Sequence, residues 1–313
     1  MADGHLKICV SVLTYRRPDR LDRLLRAFLS LGMPEDCSVF FLVVDNDPDG
    51  SAQSVVEAFN ADFSFCDVRY VVEREPGIPA ARNRALDEAL SSGADLLCFT
   101  DDDAWPHHDW LVHLVACYRR TKPVLVFGPQ RLTRPPGLRS PWKRMIARSL
   151  EARSRFLERF CEYQARRGQI ATSGTYNWLG ELRWIFENDL RFDPFMRDSG
   201  GSDTAFRESA RKMGASMAWC CNAVVSEEVP VSRLSLRYQF YRARMQGMNA
   251  AQFHRPLSPK ILQYPLGRIV VGVSLFIFPV LGMASFSLGL HQLGMGVGVL
   301  YSRFGERSNL YKR

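Results

Sequence analysis

Three consecutive aspartates, Asp101, Asp102 and Asp103, close the apolar run that begins at Ala94 and precede Ala104-Trp105-Pro106. Carboxylates this close repel one another, and a fold tolerates them mainly when a cation sits among them. Hard oxygen donors suit Mg2+ or Mn2+, ions commonly shared with a diphosphate. A solvated acidic turn is the plainer reading of the triplet alone. The strand pattern ahead of it and the motifs on either side favour a metal held by the cluster. A second stretch, Asp198-Ser-Gly-Gly-Ser-Asp203-Thr-Ala-Phe, leads small residues into Asp203 at the start of a helix expected over 203–213. A carboxylate there can accept a proton from an attacking hydroxyl. It can also simply cap the helix, and spacing does not choose.

The elements that must carry these groups show in the hydrophobic periodicity. Strands are expected at 7–13, 38–44, 67–73 and 95–100, separated by helices at 18–31, 52–61 and 79–91 and followed by one at 109–118. Strands alternating with helices imply an α/β fold with a mostly parallel central sheet flanked by helices. In such sheets ligands bind beyond the carboxyl ends of the strands. Three strands end in polar signatures, Thr14-Tyr15-Arg16-Arg17, Asp45-Asn46-Asp47 and Asp101-Asp102-Asp103, so they converge on one crevice. Asp45 suits hydrogen bonds from a base or ribose, although Asp-Asn-Asp-Pro-Asp-Gly is also good turn composition. Arg82-Asn83 opens a helix and could position a donor or form a structural salt bridge. The expected organisation is a strand-and-helix half carrying the polar strand ends over 1–125, a second half with a basic amphipathic helix over 126–250, and an apolar segment over 251–313.

The net charge of +8 is uneven: between Arg131 and Arg167 there are eleven Arg or Lys against three Glu. Such a stretch speaks for phosphates or anionic lipid headgroups, and without a nucleic-acid motif it does not speak for RNA or DNA. The eight cysteines show no CxxC spacing and read as reduced residues of a cytosol-facing domain. The opening Met-Ala-Asp-Gly-His has neither a charged region nor an apolar core, so no signal peptide is expected. From Ile269 to Tyr301, 33 residues pass without Asp, Glu, Lys or Arg. One crossing of about 20 residues fits that length and two do not. Cations flank both ends, Lys260 and Arg268 before and Arg303, Arg307, Lys312 and Arg313 after, and Pro279 and Gly282 break the middle. These features favour a re-entrant or in-plane hairpin at the cytoplasmic face of a membrane over a single span. A buried helical hairpin is the alternative.

The chain resembles a family 2 glycosyltransferase of the GT-A fold, and within that family the transferases of bacterial exopolysaccharide (succinoglycan-type) assembly. The resemblance covers about residues 6–250. It rests on Val-Ser-Val-Leu-Thr-Tyr-Arg-Arg-Pro at 10–18, Val-Val-Asp-Asn-Asp-Pro-Asp-Gly-Ser at 43–51 and Pro-Gly-Ile-Pro-Ala-Ala-Arg-Asn at 76–83. It continues through Phe-Thr-Asp-Asp-Asp at 99–103, Asp-Trp-Leu at 109–111 and Gly-Gly-Ser-Asp at 200–203. The resemblance implies an inverting transfer from a nucleotide-sugar, expected to be a UDP-sugar, to a glycan acceptor expected to be lipid-linked. It places Thr14, Tyr15 and Asp45 at the nucleoside, Asp102 at the ribose or sugar, Asp103 on the metal with Asp101 assisting, and Asp203 as general base. Two features depart from the family pattern. Ser202 stands where the family usually has Glu, and Glu227-Glu228 stands where a His is often found; either glutamate could approach the metal or face water, and water is the favoured reading.

Two other classes compete. A sugar-phosphate nucleotidyltransferase also joins a parallel sheet to a nucleotide and Mg2+. It needs a glycine-rich phosphate loop after strand one, and Thr14-Tyr15-Arg16-Arg17-Pro18 contains no glycine. A non-catalytic scaffold of the same fold is kept open by Ser202 and opposed by the intact Asp103 and Asp203.

Overall fold

The computed structural model describes residues 4–64, 66–169, 174, 176–197, 200–252 and 260–302. Asp198 and Ser199 of the small-residue motif and the cations from Arg303 onward lie outside the described residues. The elements run β1 (Leu6–Thr14), α1 (Pro18–Phe28), β2 (Cys37–Asp45), α2 (Gln53–Asp62), β3 (Val68–Val72), α3 (Ile78–Ser91) and β4 (Leu96–Asp101). They continue β5 (Ala104–Pro106), α4 (Trp110–Thr121), β6 (Leu125–Phe127), β7 (Gln130–Thr133), α5 (Pro141–Ala165), β8 (Asn177–Glu181) and α6 (Leu182–Glu187). The last are α7 (Ser202–Lys212), β9 (Met217–Trp219), β10 (Val225–Glu228), α8 (Leu236–Gln252), α9 (Lys260–Ile277) and α10 (Met283–Ser302).

Two compact units result. The first comprises 1–130, 158–197 and 202–227, and the second 131–157, 198–201 and 228–313. The sequence reading divides the chain at 125 and 250 instead, because interleaving of distant segments leaves no mark in local composition.

The first unit is built on a seven-stranded sheet of order β3-β2-β1-β4-β8-β6-β9. Alternation along β1 explains its two cores, since successive side chains point to opposite faces. Ile8, Val10 and Val12 pack with Leu21, Leu24, Leu25 and Phe28 of α1 and with Trp110, Leu111 and Leu114 of α4. Cys9 faces the other way, among Ala81, Ala85 and Leu86 of α3, Leu182 and Ile185 of α6, and Phe206 and Ala210 of α7. Pro18 starts α1 because its fixed φ suits a first turn, where its missing N–H costs no hydrogen bond.

Register does the positioning. β1 and β2 pair in parallel with Thr14 opposite Asp45, and β1 and β4 pair in parallel with Leu13 opposite Asp101. All three polar strand ends therefore finish on the same rim. The chain leaves β1 for β2 and β3 on one side and returns to β4 on the other, which makes β1–β4 the topological switch point where such sheets bind ligands. β8 runs antiparallel to both β4 and β6, so the sheet is mostly rather than wholly parallel.

In the second unit, Ile146, Ala147 and Leu150 of α5 cluster with Val229 and Leu234. The 33-residue uncharged segment folds as α9 and α10 of a helical hairpin, broken between Ile277 and Met283, where Gly282 takes a φ of 57°. Helix α10 packs against both α8 and α9. Close approach is possible because Gly294 and Gly298 of α10 meet the backbone of α8, where a Cβ would lie 2.9 Å from the Phe240 carbonyl or 2.0 Å from that of Arg244.

Candidate functional site

The switch-point rim gathers charge of both signs. The hydroxyl of Thr14, at the end of β1, donates to Asp102 Oδ2 at 3.2 Å. Arg17 Nη1, just before α1, lies 3.0 Å from Asp102 Oδ1 and 3.8 Å from Asp103 Oδ2. Arg20, one turn further, reaches Asp103 Oδ2 at 3.0 Å. The two arginines thus tie the acidic turn to the start of α1. Burial raises the Asp102 carboxyl above its usual range, against the pull of Arg17. Burial likewise pushes Asp101 up to about 7; Arg82 opposes the shift, and the charges of Asp103, Glu227 and Asp102 reinforce it. Crowded carboxylates of this kind are the type of group that could hold a divalent ion.

Glu227 corrects an expectation. Its neighbour Glu228 is exposed, but Glu227 is only 7% exposed and accepts a hydrogen bond from Gln130 Nε2 at 2.7 Å. Antiparallel pairing of β10 with β5 sets Glu227 opposite Ala104, directly after the aspartates. Glu227 therefore faces the acidic cluster rather than water.

Tyr176, which the sequence did not single out, sits at the convergence of the two acidic regions. Burial raises its phenol first, and the charges of Asp203, Asp101 and Glu227 all act on it in the same direction. Asp203 lies in the first turn of α7, where its Oδ1 accepts the Thr204 amide at 2.8 Å. Gly200 and Gly201, with φ of 78° and 87°, lead the backbone into that turn through a region that side chains rarely allow. Ser202 beside it accepts from Arg82 Nη1 at 3.1 Å, so the departure from Glu still ties this turn to α3. Asn83 exchanges two hydrogen bonds of 2.9 Å with the backbone of Phe192 and is thereby a structural clamp.

The end of β2 is highly ordered. Asp45 is fully buried; its Oδ1 accepts the Asp47 amide at 3.0 Å, and its Oδ2 accepts the Ala52 amide at 2.8 Å and the Tyr70 hydroxyl at 3.0 Å. It shapes the turn from behind. Asn46 does the same, bonding the carbonyls of Glu73 and Glu75 and the amide of Gly77. Arg16, in the left-handed region at φ 53°, is held by Asp47 at 3.0 Å and packs over the ring of Tyr15. Thr14, Asp101, Asp102 and Asp103 thus cluster together. Asp45, Arg82 and Asp203 flank them.

Nothing local in the sequence marked Tyr176 or Arg20, and Arg17 and Glu227 were named there without a role at the aspartates. Arg17 and Arg20 share a helix face at i,i+3 pointing back to the rim of β1, and that spacing was the one available signal. Among the described residues no group of three or more His, Cys, Asp or Glu side chains is placed to hold a metal ion by itself. Asp103, with its side chain 17% exposed and one oxygen committed to Arg20, instead suits an ion completed by a substrate's phosphates.

The glycosyl transferase family 2 model matches residues 9–178. The succinoglycan biosynthesis protein ExoM of Rhizobium meliloti (strain 1021) is 33% identical over 242 residues, 76% of this chain and 72% of its own. Two solved structures share the fold. The mannosyltransferase PcManGT from Pyrobaculum calidifontis, in complex with GDP-Man and Mn2+, has a TM-score of 0.57 at 19% identity, covering 98% of this chain and 77% of its own. S. aureus TarS 1-349, in complex with UDP-GlcNAc, has a TM-score of 0.52 at 13% identity, covering 96% and 93%.

Proposed function

The chain belongs to glycosyl transferase family 2, and from that premise we propose that it moves a sugar from a nucleotide-sugar, with a UDP-sugar as donor, to a hydroxyl of a lipid-linked glycan in exopolysaccharide synthesis. The observation that carries this is the meeting of Thr14, Arg17, Arg20 and the three aspartates at the switch point of the sheet, with the charges of Asp203 and Asp101 both acting on the partly buried Tyr176. The relatives bound to GDP-Man and UDP-GlcNAc support a nucleotide-sugar donor.

Thr14 and Tyr15 line the nucleoside end, and Asp45 fixes the turn that shapes it. Asp102, held by Thr14 and Arg17, faces the ribose or sugar. Asp103, assisted by Asp101, would hold Mg2+ or Mn2+. When bound, that ion supplies Lewis-acid neutralisation of the departing diphosphate. Arg17 and Arg20 are the nearest cations for the same phosphates once the donor draws them off the carboxylates, and Arg82 positions the donor from the start of α3. Asp203 accepts the proton of the acceptor hydroxyl as its oxygen bonds to the anomeric carbon. The bond from that carbon to the diphosphate breaks with its electron pair on the diphosphate, and the configuration inverts.

A thermal-shift screen of nucleotide-sugars with and without Mn2+ tests the reading. One UDP-sugar should stabilise the protein only with metal, by about 2.7 kcal/mol at a hundredfold excess over Kd. If no nucleotide-sugar shifts the transition under either condition, the non-catalytic scaffold takes its place.

The second unit meets a membrane in this proposal. Helix α10 is long and apolar enough to cross a bilayer but is over half buried in its own unit. The outer face of α9 is the lipid-facing surface, with Val270 63%, Val271 50% and Ile277 62% exposed. That geometry fits a hairpin lying in the cytoplasmic leaflet. The double variant Val270→Glu/Ile277→Glu should move the protein from the membrane to the soluble fraction, because each charge costs about 3 kcal/mol in apolar surroundings. Unchanged sedimentation with membranes would contradict the hairpin assignment.

A further inference from the structure

The second unit contains a pocket unrelated to the acidic rim. It lies between α5, α8 and α10, and about 250 Å³ of space free of protein atoms, open solvent included, lies within and in front of it. Leu150, Phe286 and Leu290 form an apolar collar, and Arg153, Gln239 and His291 supply its polar groups. The space is narrow and suits one small group better than a sugar nucleotide.

The charge pattern around it is one-sided. Among the described residues of this unit the carboxylates are Glu151 and Glu228 alone. Glu151 is bound to Arg134 at 2.9 Å, and Glu228 is exposed. Arg153 makes no hydrogen bond or ion pair among the described residues, and its charged neighbour is another cation. Burial, then repulsion from Arg242, pushes the Arg153 guanidinium down to about 10. The charges of Arg153, Arg268 and Arg242 all reach His291. The remaining donors are already committed: the Ser287 hydroxyl bonds the Ser149 carbonyl at 2.7 Å, and the Gln239 amide bonds the Arg233 carbonyl at 2.9 Å.

A partly buried arginine with five N–H donors and no acceptor costs stability unless an anion completes it. A guanidinium in an apolar collar recognises a phosphate well, because its fork matches two phosphate oxygens. The same unit carries the exposed apolar face of α9, so a phosphate presented on a hydrocarbon chain would find both halves of its chemistry here. We propose that the α5–α8–α10 pocket is a phosphate site centred on Arg153 and backed by His291, and that its ligand is the phosphate of a lipid headgroup or a free phosphate. The site does not depend on the transfer reading.

The test uses the full chain and two probes. Inorganic phosphate is titrated by calorimetry and thermal shift. Phosphatidylcholine vesicles, with and without a long-chain alkyl phosphate, are compared in flotation. The wild-type protein should bind phosphate, and Arg153→Met should weaken that binding about tenfold or more, the loss of one charge-assisted contact. The same variant, relieved of an unneutralised charge, should melt at the same or a higher temperature without ligand and should keep its nucleotide-sugar response. Arg153→Lys should recover part of the phosphate binding. A gain on alkyl-phosphate vesicles over neutral ones assigns the site to a lipid headgroup. Phosphate binding without that gain assigns it to a soluble phosphate. An unchanged phosphate response in Arg153→Met, or none in the wild type, overturns the site. Loss of the nucleotide-sugar response in wild type overturns the transfer reading and leaves this site standing.

Discussion

Asp203→Asn is expected to remove turnover while leaving the donor bound as tightly as before. Asparagine keeps the shape of the side chain and can still accept the Thr204 amide that Asp203 Oδ1 accepts at 2.8 Å, so the start of α7 should fold unchanged. The substitution removes the ability to hold a proton. A general base contributes about 10² to 10⁴ in rate, and the loss should appear in the chemical step, with the Kd for donor unaltered. Rapid-quench single turnovers with pre-bound donor separate these quantities. Tyr176 sharpens the expectation, because its phenol feels Asp203 together with Asp101 and Glu227. Taking one charge from that group should ease ionisation of the partly buried tyrosine without disturbing the metal-side carboxylates. If the Asn variant turned over at the wild-type rate, another group would have to take the proton. The candidate on the page is then Glu227, which is buried and faces the same cluster.

Most of the first unit could be read from the sequence because its information is local. The apolar alternation of β1, the 3.6-residue face of α1 and the polar strand ends are properties of short windows, and parallel pairing turns them into one rim without further instruction. The aspartates and Thr14 met as expected for that reason. Glu227 was misplaced because its position depends on β10 pairing with β5 across more than a hundred residues, and both strands are too short to show a period. Tyr176 was missed for a similar reason: it immediately precedes β8, and nothing near 176 signals that β8 slots antiparallel between β4 and β6. The same insertion buries Asn177, which accepts from the Trp110 indole at 2.8 Å and donates to the carbonyls of Pro129 and Ala223. Long-range pairing, rather than weak propensity, is what the sequence withheld.

Asp103→Ala should abolish the metal-dependent part of nucleotide binding and lower turnover about a thousandfold, the scale set by several kcal/mol of charge stabilisation on a leaving diphosphate. The first readout needs no catalysis: the stabilisation that Mn2+ adds to a bound nucleoside diphosphate should vanish in a thermal scan. The folded state should tolerate the change well. Asp103 is one of three carboxylates crowded against Asp101, and its removal relieves repulsion even as Arg20 loses its 3.0 Å partner. Arg17 retains Asp102 at 3.0 Å, so the turn stays tethered to α1. A destabilised, aggregating Ala variant would mean that the Arg20–Asp103 pair holds the fold rather than the ligand, and Asp103→Asn then separates the two roles by keeping a partner for Arg20. If the Asn variant kept the full Mn2+ response, the ion would not be held by Asp103. Asp101, buried and shifted up to about 7, would then become the ligand to test, since a cation beside it would favour its ionised form.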